Sequence, residues 1–183
     1  LGQGGEAYLE DLKTRKPDML LVNVVTATSQ QDFQALAAAK ETLGTEQLLT
    51  IAKGEYMDAM GTRALTKHPE VDFGFHGEIE QVLKEFALGA PLESIEGLIW
   101  RDPQGQVVRN PGHPLVKDLD SLPFPARDLL NNEIYRSPET GHPLTVIHGN
   151  RGCPSKCIFC PAGVMSGFQL RYRSPRSIME EID

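Results

Sequence analysis

Apolar residues along the chain gather into short continuous runs, and between the runs they recur every three or four positions. Residues 19–25 (MLLVNVV) form one such run, and residues 47–52 and 71–75 form shorter ones. A strand shows no alternation when helices cover both faces of a parallel sheet, so each run predicts a buried strand. Helical spacing is read at residues 8–15, 31–43 (ending at Gly44), 57–67 and 79–88 (stopped by Gly89). The alternation predicts an α/β, doubly wound parallel sheet over residues 8–90. Ligands of such sheets sit beyond the carboxyl ends of the strands, which places Thr26, Ala27 and Thr28 at the candidate edge. The bland alternative is a polar loop leading into a helix.

The pattern changes after Pro91. Residues 97–101 and 106–109 flank Asp102-Pro103-Gln104-Gly105, a hairpin signal because Pro and Gly supply turn dihedrals. Residues 110–143 hold six of the 13 prolines and little periodicity, and read as an extended linker packed by specific contacts. Residues 144–148 form a candidate strand and residues 149–167 a loop. Ser174-Pro175 reads as a helix start, with Ser as N-cap and Pro at the first helical position. The expected plan is an α/β domain over 1–92, a hairpin and linker over 93–143, and the start of another domain over 144–183. A first residue other than Met and a helix running to Asp183 read as a piece of a longer protein, with an intact small protein as the alternative.

Composition narrows the function. Apolar residues make up 40% and charged residues 23%, and no stretch reaches the roughly 18 uninterrupted apolar residues of a membrane span. A net charge of −7 argues against nucleic-acid binding. The balance is uneven. Residues 144–183 carry five Lys or Arg against three Asp or Glu, so residues 1–143 carry 13 against 22. Either this is chance in a short tail, or cations gather where thiolates and anionic ligands would sit. No secretory leader is read, which implies a cytoplasmic protein. The three cysteines lie within eight residues and read as metal ligands rather than a disulfide framework.

In Arg151-Gly152-Cys153-Pro154-Ser155-Lys156-Cys157-Ile158-Phe159-Cys160-Pro161 the spacing is C-x3-C-x2-C. Three thiolates can wrap one face of an iron–sulfur cubane and leave one iron open to a substrate or cosubstrate. Gly152 allows a close backbone turn. Zinc bound by the three cysteines with His142 or His148 is the structural alternative. A non-catalytic electron carrier would need a fourth cysteine, which this chain lacks. The motif, with Phe159 immediately before Cys160, resembles the signature of radical S-adenosylmethionine (SAM) enzymes. The resemblance implies a [4Fe–4S] cluster on Cys153, Cys157 and Cys160 and SAM on the open iron. It also implies Phe159 against the adenine, and reductive cleavage to a 5′-deoxyadenosyl radical that abstracts hydrogen from substrate.

The order of α/β domain, proline-rich linker and RGCPSKCIFC resembles the cobalamin-binding branch of that superfamily. Phe75-His76-Gly77-Glu78, Ile95-Glu96-Gly97-Leu98, residues 118–127 and Arg171-Tyr172-Arg173-Ser174-Pro175 all match segments of that branch. The resemblance implies a Rossmann-like, flavodoxin-like first domain and the first strand, cluster loop and helix of a (β/α) barrel. It implies cobalamin held near Thr26, Thr28 and Gly54, methylation or another radical transformation of a small-molecule substrate, and a flavodoxin or ferredoxin as electron donor. The D-x-H-x-x-G signature is absent. Lys53-Gly54-Glu55-Tyr56 stands where relatives often have Gly-Gly-x-His, so the domain binds cobalamin weakly or keeps the fold without the cofactor.

Overall fold

A computed structural model describes residues 4–183; residues 1–3, the start of the expected first segment, lie outside the described residues. Helix α1 (Gly5–Arg15) leads into β1 (Met19–Asn23), α2 (Ser29–Leu43) and β2 (Leu49–Lys53). Helices α3 (Glu55–Met60) and α4 (Thr62–Lys67) follow, then β3 (Phe73–Phe75) and α5 (Glu80–Ala87). The three strands pair in parallel in the order β1-β2-β3. Two antiparallel strands, β4 (Leu98–Arg101) and β5 (Val107–Arg109), extend the same sheet from β3. The hairpin expected beside the linker is therefore part of the five-stranded sheet.

Alternate residues of each strand face opposite layers. Leu20, Val22, Ala52 and Ile99 pack with Phe33 and Leu36 of α2, Met57 of α3 and Leu65 of α4. Leu21, Ile51, Phe75 and Leu98 pack on the other face with Val82 and Phe86 of α5. Helices thus cover both faces, as the unalternating runs require. Full burial of a side chain such as Leu36, Ile51 or Phe75 contributes about 1.5–3 kcal/mol. The single helix expected over 57–67 is broken at Gly61, so α3 and α4 are separate pieces. No described helix is long and apolar enough to cross a membrane.

Beyond β5 the chain runs as an irregular strap with 3₁₀ turns at Leu119–Ser121, Arg127–Leu129 and Asn132–Ile134. The strand expected at 144–148 does not form, and Leu144 and Val146 are exposed. A strand needs a neighbour to take its backbone hydrogen bonds, and no described strand runs beside this segment. Pairing occurs instead between β6 (Asn150–Arg151) and β7 (Arg171–Tyr172). Between them lie the cysteines and α6 (Ala162–Ser166). Helix α7 (Pro175–Ile182) closes the chain, with the Ser177 amide donating to Ser174 Oγ at 3.1 Å and Pro at its first position, as expected.

Candidate functional site

The carboxyl ends of β1 and β2 meet at Gly54. Its φ is +111°, and an added Cβ would lie 2.7 Å from both Asn23 Oδ1 and the Val24 carbonyl. No side chain fits there, so this glycine is dictated by the chain's own crossing. The exposed Thr26–Thr28 turn lies just beyond β1, where the sequence placed it. Its polar groups are partly engaged within the turn. The Thr26 amide donates to Glu55 Oε1 at 2.9 Å and Thr28 Oγ1 to Asp32 Oδ2 at 2.7 Å. Of the two departures from the relatives' motif, Tyr56 packs half-buried against the core, its ring 5.4 Å from Phe33. Lys53 faces a cleft.

The cysteine loop springs from the β6–β7 clip. Gly152 has φ +88°, and an added Cβ would stand 2.1 Å from the Gln169 carbonyl, so the two sides of the loop cross in contact. The Cys153 amide donates to the Gly167 carbonyl at 3.0 Å, which makes this half-buried cysteine the base of the loop. Cys157 and Cys160 are exposed, and the Cys160 amide donates to the Cys157 carbonyl at 3.2 Å. Phe159 beside them is 87% exposed. All three cysteines are free thiols. Among the described residues no three His, Cys, Asp or Glu side chains converge on one metal position, the three cysteines included, with or without His142 or His148. Three free thiols on a loop with two members facing outward are a donor set that suits an iron–sulfur cluster; the loop must close for the sulfurs to meet.

The sheet edge and the foot of the cysteine loop at Gly152 face each other across a cleft of about 390 Å³ lined by Lys53, Glu78, Glu80, His148, Arg151 and both ends of α6. Burial pushes the Glu80 carboxyl up, but the Arg151 guanidinium, donating to it at 2.5 Å, and the Lys53 charge hold it below the usual range. Glu80 Oε2 is buried without a hydrogen-bond partner. Glu78, nearly buried, takes a two-pronged bond from Arg171 at 2.7 and 2.8 Å and the Val116 amide at 2.7 Å.

Behind this wall His113 Nδ1 and His76 Nε2 share a hydrogen bond of 2.8 Å. Asp58 Oδ1 accepts from the Gly77 amide and stands 2.8 Å from His76 Nδ1, at an angle too poor for a hydrogen bond. Burial and the His76 charge push the His113 imidazole below its ordinary value, against the pull of Asp58 and Glu78. The folded chain therefore prefers neutral His113. Between its folded value and about 6.5 the unfolded chain binds more protons, so this contribution is present above that window and lost as pH falls through it. In denaturant titrations at a series of pH values, His113→Gln should flatten the slope of stability below about pH 6.5; an unaltered slope would assign the dependence elsewhere.

The strap is bolted to α7. Asp120 accepts the Ser174 amide at 2.9 Å, and Glu181 bridges Arg127, at 2.5 Å, and Arg173, whose guanidinium lies over Phe124. The linker thus packs by specific contacts, as expected. Sequence reasoning assigned no role to Glu78, Glu80, Arg151, Arg171 or Glu181. Several stand in the quoted motifs, but nothing in one sequence pairs them.

An α/β sheet whose carboxyl edge faces the foot of a C-x3-C-x2-C loop across a cleft has the fold found in part of the cobalamin-dependent SAM radical enzymes. The structure of OxsB, an enzyme of that kind with aqua-cobalamin and SAM bound, superposes with a TM-score of 0.80 at 18% identity, over 100% of this chain and 25% of OxsB. The radical SAM methyltransferase TsrM from Kitasatospora setae, with cobalamin and a [4Fe–4S] cluster bound, gives a TM-score of 0.57 at 20% identity, over 97% of this chain and 37% of TsrM. In sequence the chain is 27% identical over 175 residues to an uncharacterized methyltransferase of Pyrococcus horikoshii, covering 93% of this chain and 37% of that protein. It spans between 32% and 39% of the length of the curated relatives it matches. No protein-family model matches it.

Proposed function

We propose that the chain is the cobalamin-domain and cluster-loop portion of a radical SAM enzyme that methylates, or otherwise transforms by radical chemistry, a small-molecule substrate. The observation that carries this reading is that the foot of a loop bearing three free thiols, at Gly152, lines one cleft with the carboxyl edge of the sheet. Residues 1–92 would form the cobalamin domain together with the hairpin, the rest of 93–143 the strap, and 144–183 the start of the SAM domain. Cys153, Cys157 and Cys160 would hold a [4Fe–4S] cluster, with Phe159 beside its open side. When bound, the reduced cluster supplies the electron that splits SAM into methionine and a 5′-deoxyadenosyl radical, with flavodoxin or ferredoxin as donor class.

The chain's own residues prepare both sides of the cleft. Gly152 and the Cys153 amide fix the base of the loop. On the sheet side, Lys53 lines the cleft, and the bend at Gly54 and the turn at Thr26 and Thr28 continue the carboxyl edge beside it. The unpartnered Glu80 Oε2 suits a ligand that presents amide N–H groups, as the side chains of cobalamin do.

The test uses the full-length protein, loaded with iron and sulfide without oxygen. A broad brown visible absorption and release of 5′-deoxyadenosine from SAM are expected. Bound zinc, or iron without SAM cleavage, would sink the reading. Titration with hydroxocobalamin should shift its visible spectrum and raise the melting temperature; no change in either would leave the α/β domain as a scaffold without the cofactor.

A further inference from the structure

Strands β6 and β7 pair with Arg151 directly opposite Arg171. Like charges in that cross-strand position oppose pairing, yet this two-residue clip is what closes the cysteine loop. The opposing charge comes from outside the clip. Glu78, three residues beyond β3, reaches both guanidiniums: Arg171 at 2.7 Å and Arg151 at 3.5 Å. Its side chain is 7% exposed, and that of Arg171 is 11% exposed.

The same carboxylate accepts the Val116 amide, while Arg171 donates to the Val116 and Ser166 carbonyls at 2.5 and 2.7 Å. Glu78 is therefore the joint at which the sheet edge, the strap and the far side of the loop meet. Glu80 cannot replace it. Its contact is with Arg151 alone, in a more exposed setting. Only Gly152 separates Arg151 from Cys153, so the position of this clip is the position of the first thiol.

We propose that Glu78 is a positioning residue: from the carboxyl edge of the sheet it neutralises the Arg151–Arg171 pair and so sets the base of the cysteine loop. The proposal rests on the loop having the role given above, but its physical content is testable without metal. In the metal-free full-length protein, iodoacetamide labelling followed residue by residue in a mass spectrometer reads the opening of the loop at each cysteine. Cys153 should be the slowest of the three in the parent.

In Glu78→Gln, loss of a charged hydrogen-bonding partner should speed labelling of Cys153 by about tenfold and leave the exposed Cys157 and Cys160 unchanged. Adding Arg151→Gln, which removes one of the two opposed charges, should slow Cys153 again; general loosening of the fold would not be reversed this way. An unchanged Cys153 rate in Glu78→Gln, or no slowing in the double variant, overturns the proposal. Should Glu78→Gln fail to fold, Arg171→Lys keeps the charge but loses the two-pronged bond. It should give the same selective rise at Cys153, and a parental rate there overturns the proposal equally. A parent that binds no iron would refute the function proposed above and leave this labelling result standing.

Discussion

Replacing any one of Cys153, Cys157 or Cys160 by alanine in the full-length protein should lower reductive cleavage of SAM by more than about 100-fold and deplete bound iron. A cubane held by three thiolates has one iron open by design; removing a thiolate opens a second, and the cluster is lost to solvent and oxygen. The three positions are not equal in the fold. Cys153 is half-buried and its amide is bonded to the Gly167 carbonyl, whereas Cys157 and Cys160 are exposed. Cys153→Ala should therefore leave the clip intact, since that bond uses the backbone, and the defect should lie in the metal alone. Iron analysis and quantification of 5′-deoxyadenosine check it. Variants that all cleave SAM like the parent would remove the assignment of these residues as cluster ligands.

Glu181→Ala should lower stability by about 3 kcal/mol, because it takes the shared carboxylate from the Arg127 and Arg173 guanidiniums and leaves them only neutral partners at Thr145, Val146 and Ser177. The Glu181 side chain is 2% exposed, and those of Arg127 and Arg173 are 25% and 12% exposed. Calorimetry of the full-length protein should show the melting temperature of the unit containing α7 falling by about 6–12 °C; a fall of less than a degree would mean that water compensates both arginines. The pH dependence follows the same pair of contacts. Burial pushes the Glu181 carboxyl up, but Arg173 and Arg127 together hold it below the ordinary range. Its stabilising contribution is thus present above the ordinary glutamate value and lost as pH falls through the lower, folded value. Acid should loosen α7 from the strap, and in Glu181→Ala that acid-dependent loss should shrink to the part carried by the Asp120–Ser174 contact.

Much of the fold was legible along the chain because strands and helices impose short periods on neighbouring residues. Residues 19–25 and 47–52 read as strands buried on both faces, and β1 and β2 lie within or beside them with helices on either side. Ser174-Pro175 announced α7 because a cap is a contact between residues three apart. The cysteine spacing is local in the same sense, as is the Thr26 turn at the end of β1.

Contacts across long separations were not legible. The hairpin looked like an independent element, and its membership of the sheet depends on β3 having an open edge for β4. Residues 144–148 carry a strand's composition, but strands exist in pairs, and the chain pairs Asn150 and Arg151 with Tyr172 and Arg171 instead. Lys53 and Tyr56 looked like equivalent departures from one motif, yet the helix begun at Glu55 turns Tyr56 against the core and leaves Lys53 at the cleft. By itself the sequence determined the order of elements, the thiol motif and the edge where ligands are expected, all set by spacings of a few residues. Only the tertiary structure decided how sheet and loop are joined, because the Glu78–Arg171 contact spans 93 residues and becomes a strong interaction only when folding brings both side chains out of water.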